Sequence, residues 1–144
     1  MHVKIKKLHP DAQLPTYATV GAACFDLHSV SSDKILQFPT PRTFATGLAF
    51  AVPDDHVMLI FSRSGHGFNK GIRLSNCVGI IDSDYRGEIF VKLTADRRDS
   101  FLQVRKGDRI AQAMIVPVEQ VQFDVCDDLP ETERGQNGFG STGD

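Results

Sequence analysis

No run of ten or more residues in this chain carries a helical stripe of apolar side chains, whereas one short alternating or apolar segment follows another with Pro, Gly, Asn or Asp between them. That pattern restricts the fold to an all-β sandwich or barrel. Residues 2–8 set Val3 and Ile5 against Lys4 and Lys6 as a first strand that Pro10 stops. Residues 14–21 read as a loop, and residues 22–28 as a second strand in which Asp26 lies between Phe25 and Leu27. Further strands follow over 44–52, bent near Gly47, and over 57–61, 101–104 and 109–118. A last strand is expected over 119–125, where Val121, Phe123 and Val125 alternate with Gln120, Gln122 and Asp124. The one helix candidate is 64–70, with Ser64 as its cap and Gly71 as its stop.

A chain of 144 residues is one domain, long enough to bury a core without disulfides or a structural metal. Its 16 basic and 18 acidic residues leave a formal charge of −2, so no overall basic field exists to hold a nucleic acid. An anionic partner must therefore be met by a local cluster. Cys24, Cys77 and Cys126 are odd in number and far apart, which excludes a disulfide framework and a Cys-x-x-Cys zinc site and fits reduced thiols in the cytoplasm. The apolar runs are too short for a membrane helix, and the N-terminal residues lack a signal-peptide core, so the expectation is a soluble intracellular protein.

Chemistry gathers around residues 71–93. Ile89, Val91 and Leu93 alternate with Glu88, Phe90 and Lys92, and residues 83–87 have the composition of a tight connection, so the stretch reads as a β-hairpin with Asp82 near its bend. If the preceding Val78, Ile80 and Ile81 are buried, the Asp82 carboxylate stands at a desolvated edge, where it is a better base; alternatively Asp82 and Asp84 only shape the turn. Arg63 precedes the helix start, a place for a phosphate, or else a surface arginine in a polar loop. Gln112 is the uncharged polar group of its strand and must find a partner in the core or on a ligand. From Asp127 onward the composition is that of a flexible tail, with four glycines in the last ten residues and the single aromatic Phe139. Residues 138–143 match Gly-x-Gly-x-x-Gly, but a dinucleotide fingerprint must open a helix, and only Asp144 follows. Such a segment suits closure over a phosphorylated aromatic ligand, or is simply a disordered terminus.

Five blocks in order resemble the homotrimeric dUTPase family: Ala23-Cys24-Phe25-Asp26-Leu27, Arg63-Ser64-Gly65, residues 79–87 (Gly-Ile-Ile-Asp-Ser-Asp-Tyr-Arg-Gly), residues 107–112 (Gly-Asp-Arg-Ile-Ala-Gln) and residues 134–143 (Arg-Gly-Gln-Asn-Gly-Phe-Gly-Ser-Thr-Gly). The resemblance spans residues 14–143, and the third and fifth blocks are the most specific. It implies a jelly-roll-like β core over 1–130, an arm over 131–144 that closes on the active site, and a homotrimer whose sites are shared between chains. The implied reaction is water attack on the α-phosphorus of dUTP with Mg2+ on the triphosphate, yielding dUMP and pyrophosphate. It would remove dUTP from the nucleotide pool and supply dUMP for dTMP synthesis. By the same resemblance Asp82 is the base, and Asp26 acts through water held by the magnesium, with no direct metal ligand from the chain. Arg63, Ser64 and Gln112 meet phosphate, Arg134, Ser141 and Thr142 close on the terminal phosphates, and Gly65 and Gly140 belong to the substrate-binding set. Asn76 and the backbone at Gly79 and Ile81 recognise uracil, Tyr85 packs on the deoxyribose, and Phe139 stacks on the base.

Two positions depart from the family pattern: Cys24 stands where Gly is usual, and Asn137 where Gly is common. Three rivals remain. The dCTP deaminases share the fold, but their third block carries a Glu-containing sequence where this chain has Ile81-Asp82-Ser83-Asp84-Tyr85. A catalytically idle binding protein would not need Asp82, Arg63 and Arg134 intact, and a generic β-domain would not carry five ordered blocks.

Overall fold

The computed structural model describes residues 1–138. Among them are twelve strands and one short helix. The strands are β1 (Lys4–Lys7), β2 (Thr16–Tyr17), β3 (Phe25–His28), β4 (Lys34–Gln37), β5 (Arg42–Ala45), β6 (Leu48–Ala51) and β7 (His56–Phe61). Helix α1 (Ser64–Lys70) follows, then β8 (Ile72–Leu74), β9 (Gly79–Ile81), β10 (Phe90–Ala95), β11 (Phe101–Val104) and β12 (Arg109–Pro117). All pairings are antiparallel and build a five-stranded sheet, β2-β3-β12-β7-β9, a three-stranded sheet, β5-β10-β8, and the pairs β1-β6 and β11-β4. The all-β fold with one short helix is the one the spacing predicts. No described helix is long and apolar enough to cross a membrane.

Period-two alternation places the core. In β10, Val91 and Leu93 point inward while Phe90 and Lys92 face out, and Leu102 and Val104 do the same in β11. These meet Phe44, Leu27, Leu36, Leu48, Met58, Ile72 and Ile110 in one cluster shared by the sheets. Helix α1 buries no residue, so tertiary packing contributes little to its stability. It ends where predicted, with Gly71 left-handed at φ 60° and its N–H donating to the Gly67 carbonyl at 3.1 Å. Its start differs from expectation: the cap position falls on Arg63, extended at φ −77° and ψ 135°, and no side chain caps it, Ser64 included.

Two expected elements do not form as read. The stretch 71–93 is not one hairpin, because β8 and β10 pair with each other while β9 leaves for the edge of the five-stranded sheet beside β7. The apolar run before Asp82 thus pairs outside the hairpin, and residues 82–89 form a connection between sheets, tied by Tyr85 Oη donating to the Glu88 carbonyl at 3.0 Å. The segment 119–125 is alternating but unpaired, with Val121, Phe123 and Val125 exposed at 67, 90 and 102 %. Conversely, the loop predicted over 14–21 contributes the short strand β2.

Candidate active site

The five-stranded sheet carries a polar face built by one irregularity. Asp26 of β3 pairs with Gln112 of β12, yet His28 pairs with Arg109, so three steps along β12 match two along β3. The extra residue is a β-bulge, which turns Ile110 and Ala111 both into the core, each fully buried. Directly opposed residues share a face, so Arg109 and Gln112 come to lie beside Asp26 and His28. Under strict alternation Arg109 and Gln112 would lie on opposite faces, which is why sequence periodicity alone misses Arg109.

From this face Asp26, Arg109 and Gln112, together with Arg63 and Ser64 at the start of α1, line a cleft of about 410 Å³ that also includes Cys24 and the small residues Ala18, Ala22 and Ala23. The Asp26 carboxylate, only 13 % exposed, accepts a hydrogen bond from Arg109 Nη1 at 3.1 Å and lies 3.8 Å from Arg63 Nε. Arg63 Nη1 donates to the Arg109 carbonyl at 3.1 Å. Burial, and then the neighbouring Arg109 charge, lower the Arg63 pKa, against the pull of Asp26 and Asp108. Gln112 Nε2 donates to the Ser62 carbonyl at 3.1 Å, which uses one of its two N–H bonds. Burial, reinforced by Asp26, pushes the Cys24 thiol up, so it is a poor nucleophile. Burial lowers the pKa of His28, with Asp26 opposing. A carboxylate flanked by guanidinium groups, with an amide beside it, can orient a phosphate chain and hold ordered water near it.

The other predicted residues lie elsewhere. Asn76 sits in the turn between β8 and β9, where its carbonyl accepts from Val78 N–H at 2.7 Å, and it is exposed. Gly79, which is buried, and Ile81, which is half-buried, lie on β9, which among the described strands pairs with β7 alone and so forms a sheet edge. Tyr85, 43 % exposed, presents part of its ring to solvent. Asp82 is exposed, contrary to the desolvated edge expected of it, because Val78 and Ile80 face out at 38 and 66 % rather than packing in the core. Ile81 is level with Met58, and Asp26 with Gln112 and so with Phe61. Three residues along and three strands across put the Ile81 and Asp26 backbones roughly 17 Å apart on the sheet lattice. Arg134 is exposed, its Nε donating to the Asn137 carbonyl at 2.9 Å. Phe139, Gly140, Ser141 and Thr142 lie outside the described residues. Within one chain, then, the Asp26 cleft, the β9 edge and Arg134 are separate pieces.

An antiparallel β fold with an arginine-lined cleft on one face of its five-stranded sheet, and an unpaired strand edge on the far side of that sheet, defines an all-β protein with a cleft rich in guanidinium groups. The chain belongs to the dUTPase family, whose model matches residues 10–143. It is 46 % identical over 143 residues to the deoxyuridine 5'-triphosphate nucleotidohydrolase of Nautilia profundicola, covering 99 % of each chain. To the Escherichia coli K12 protein of the same name it is 40 % identical over 147 residues, covering 98 % of this chain and 97 % of that one. The fold superposes on the dUTPase of Staphylococcus bacteriophage 80alpha with a TM-score of 0.88 at 23 % identity, over 99 % of this chain and 98 % of that one.

Proposed function

We propose that this dUTPase performs its reaction, hydrolysis of dUTP to dUMP and pyrophosphate, at sites shared between the copies of a homotrimer. The observation that carries the reading is the separation within one chain of the Asp26 cleft from the Asp82 connection: a second copy can bring the missing half to each. The alternating segment 119–125 supports it, being a strand pattern without a sheet whose apolar face stands in solvent. An apolar cleft of about 410 Å³ bounded by Val3, Ile5, Tyr17 and Phe50 offers a neighbouring copy an apolar surface to cover. The free thiols Cys24, Cys77 and Cys126 support a cytoplasmic setting.

In this reading Arg63, Arg109, Ser64, Gly65 and Gln112 hold the phosphate chain along the cleft. From another copy, Asn76 and the edge-strand backbone of Gly79 and Ile81 hydrogen-bond the uracil edge, which rejects cytosine because its amino group is a donor where uracil has an acceptor. Tyr85 lies against the deoxyribose. Asp82 takes a proton from the attacking water, the new P–O bond forms at the α-phosphorus, and the bond to the bridging oxygen breaks to release pyrophosphate. Arg134, Gly140, Ser141 and Thr142 close on the terminal phosphates, and Phe139 stacks on the base.

Among the described residues no group of three His, Cys, Asp or Glu side chains converges as a metal cage. The carboxylate of Asp26, already facing two guanidinium groups, fits contact through water with a magnesium ion carried in on the triphosphate. Bound there, Mg2+ supplies charge neutralisation for the leaving pyrophosphate. The test is pyrophosphate release from dUTP, dCTP, dTTP and UTP with magnesium, with Asp82→Asn as control. Turnover of dUTP alone, lost in the variant, is expected; ammonia release from dCTP, or no turnover of any of the four, would overturn the reading.

A further inference from the structure

The third residue after Arg63 is a histidine whose ring touches the guanidinium group. Arg63 Nη1 lies 3.3 Å from His66 Nε2 and 3.1 Å from the Arg109 carbonyl oxygen. A guanidinium group only donates, so Nε2 must offer a lone pair, and the ring is neutral with its proton on Nδ1. Nδ1 finds no partner among the described residues, so Nε2 is the ring's working atom. Both hydrogens of Nη1 are thereby taken, one by the carbonyl and one by the imidazole. The Nε–Nη2 edge is left, and it faces the cleft, with Nε 3.8 Å from Asp26.

We propose that His66 is a positioning residue that fixes the Arg63 guanidinium with its Nε–Nη2 edge toward the triphosphate. The inference rests on the reading of Arg63 as a phosphate ligand. His66 is placed for this by the helix, since residues three apart in the first turn share a face. Behind the ring is a second, polar cavity of about 280 Å³ bounded by Lys70, Gln103 and Asp108, with Arg63 and Arg109 as the wall shared with the cleft. Without the imidazole, one Nη1 hydrogen loses its acceptor, and the guanidinium, held by the Arg109 carbonyl and Asp26, can turn toward Asp108 in the second cavity. The charged groups around the ring are Arg63, Lys70, Asp108 and Arg109, whereas β11 contributes only uncharged side chains. Burial, then Arg63 and Lys70, against Asp108, hold the His66 pKa at about 4, so the acceptor persists at neutral pH. His66 is thus a fixed support and not a physiological pH switch.

The experiment is a double-mutant cycle read as kcat/KM for dUTP, with thermal unfolding of each variant alongside. His66→Leu is expected to lower kcat/KM roughly ten- to hundredfold, the scale for misplacing a binding group by about an ångström. His66→Asn, polar but too short to reach Nη1, behaves as the leucine does, and His66→Gln, whose amide oxygen can replace Nε2, recovers most of the activity. In an Arg63→Ala background, His66→Leu adds no further loss. Parental activity in both His66→Leu and His66→Asn, or losses that multiply in the double variant, would overturn the proposal while Arg63 kept its role. Parental kcat/KM in Arg63→Ala would instead remove the reading beneath it.

Discussion

Replacing Asp26 with asparagine keeps the side-chain shape and removes the negative charge that lies between Arg63 and Arg109. The carboxylate is 13 % exposed, and the arginine side chains are 25 and 48 % exposed, so the group lies between two regimes. Exposed ion pairs contribute about 0–1 kcal/mol, and uncovering one partner of a buried pair costs about 3–5 kcal/mol. An intermediate loss of about 1–2 kcal/mol is expected, which for a chain of this size lowers Tm by roughly 3–6 °C when protein concentration is held fixed. Binding should respond in the opposite sense. A carboxylate about 5 Å from a phosphate repels it by about 3 kcal/mol at an effective dielectric near 20, less whatever magnesium screens. Asp26→Asn should therefore bind a triphosphate at least as tightly as the parent, with unchanged or lower KM, while kcat falls about a hundredfold because ordered water near the metal is lost. A non-hydrolysed triphosphate analogue should raise the Tm of the variant more than that of the parent. The assay is steady-state pyrophosphate release paired with thermal unfolding. Parental kcat, or a tenfold rise in KM with kcat intact, would refute the role given to Asp26.

Other perturbations reach separate parts of the account. In Gly79→Ala the new Cβ would come 3.1 Å from Ile60 Cβ, so edge strand β9 must shift by a few tenths of an ångström; KM for dUTP should rise several-fold with kcat kept, and an unchanged KM would mean that this backbone does not read the base. Because the His66 pKa is about 4 in the folded chain against an ordinary 6.5, the unfolded state binds more protons between those values. Stability should rise with pH across that window and level off above it. The shift sets an upper bound near 3.4 kcal/mol, reduced to about 1–2 kcal/mol by solvent screening of a half-buried ring. Urea midpoints at pH 4.5 and 7.5 should differ more in the parent than in His66→Gln, and equal differences would contradict the assignment.

Elements whose own side chains decide their burial were legible in the sequence. Val91 and Leu93 of β10 and Leu102 and Val104 of β11 fall where periodicity places them, and the Ser64–Lys70 helix stops at Gly71 as expected, although the expected Ser64 cap does not form. Pairing partners were not legible, because alternation says which face of a strand is apolar and nothing about which strand lies alongside. That is why β9 was expected to fold back on β10 and instead pairs with β7. The same gap explains segment 119–125, whose pattern is a strand's but which finds no sheet within its own chain. Asp82 illustrates a second kind of miss: an apolar run predicts burial only if it lies in the core, and here Val78 and Ile80 lie at an exposed edge. Arg109 was hidden by one inserted residue in β12, a feature that no period-two count can reveal. The cleft that joins Asp26, Arg63, Ser64 and Gln112 was likewise beyond alternation, because those residues come from β3, the start of α1 and β12 and meet only through strand pairing.

The most direct test of shared sites mixes two defective chains. Asp26→Asn and Asp82→Asn, each with little activity alone, are dissociated, combined in equal amounts and reassembled. If each site takes its phosphate cleft from one copy and its Asp82 from another, about a quarter of the sites in randomly mixed trimers draw both parts intact. The mixture should then recover about a quarter of parental pyrophosphate release. Activity no greater than the sum of the two variants, in a preparation shown to contain mixed trimers, would mean that Asp26 and Asp82 serve the same site from within one chain.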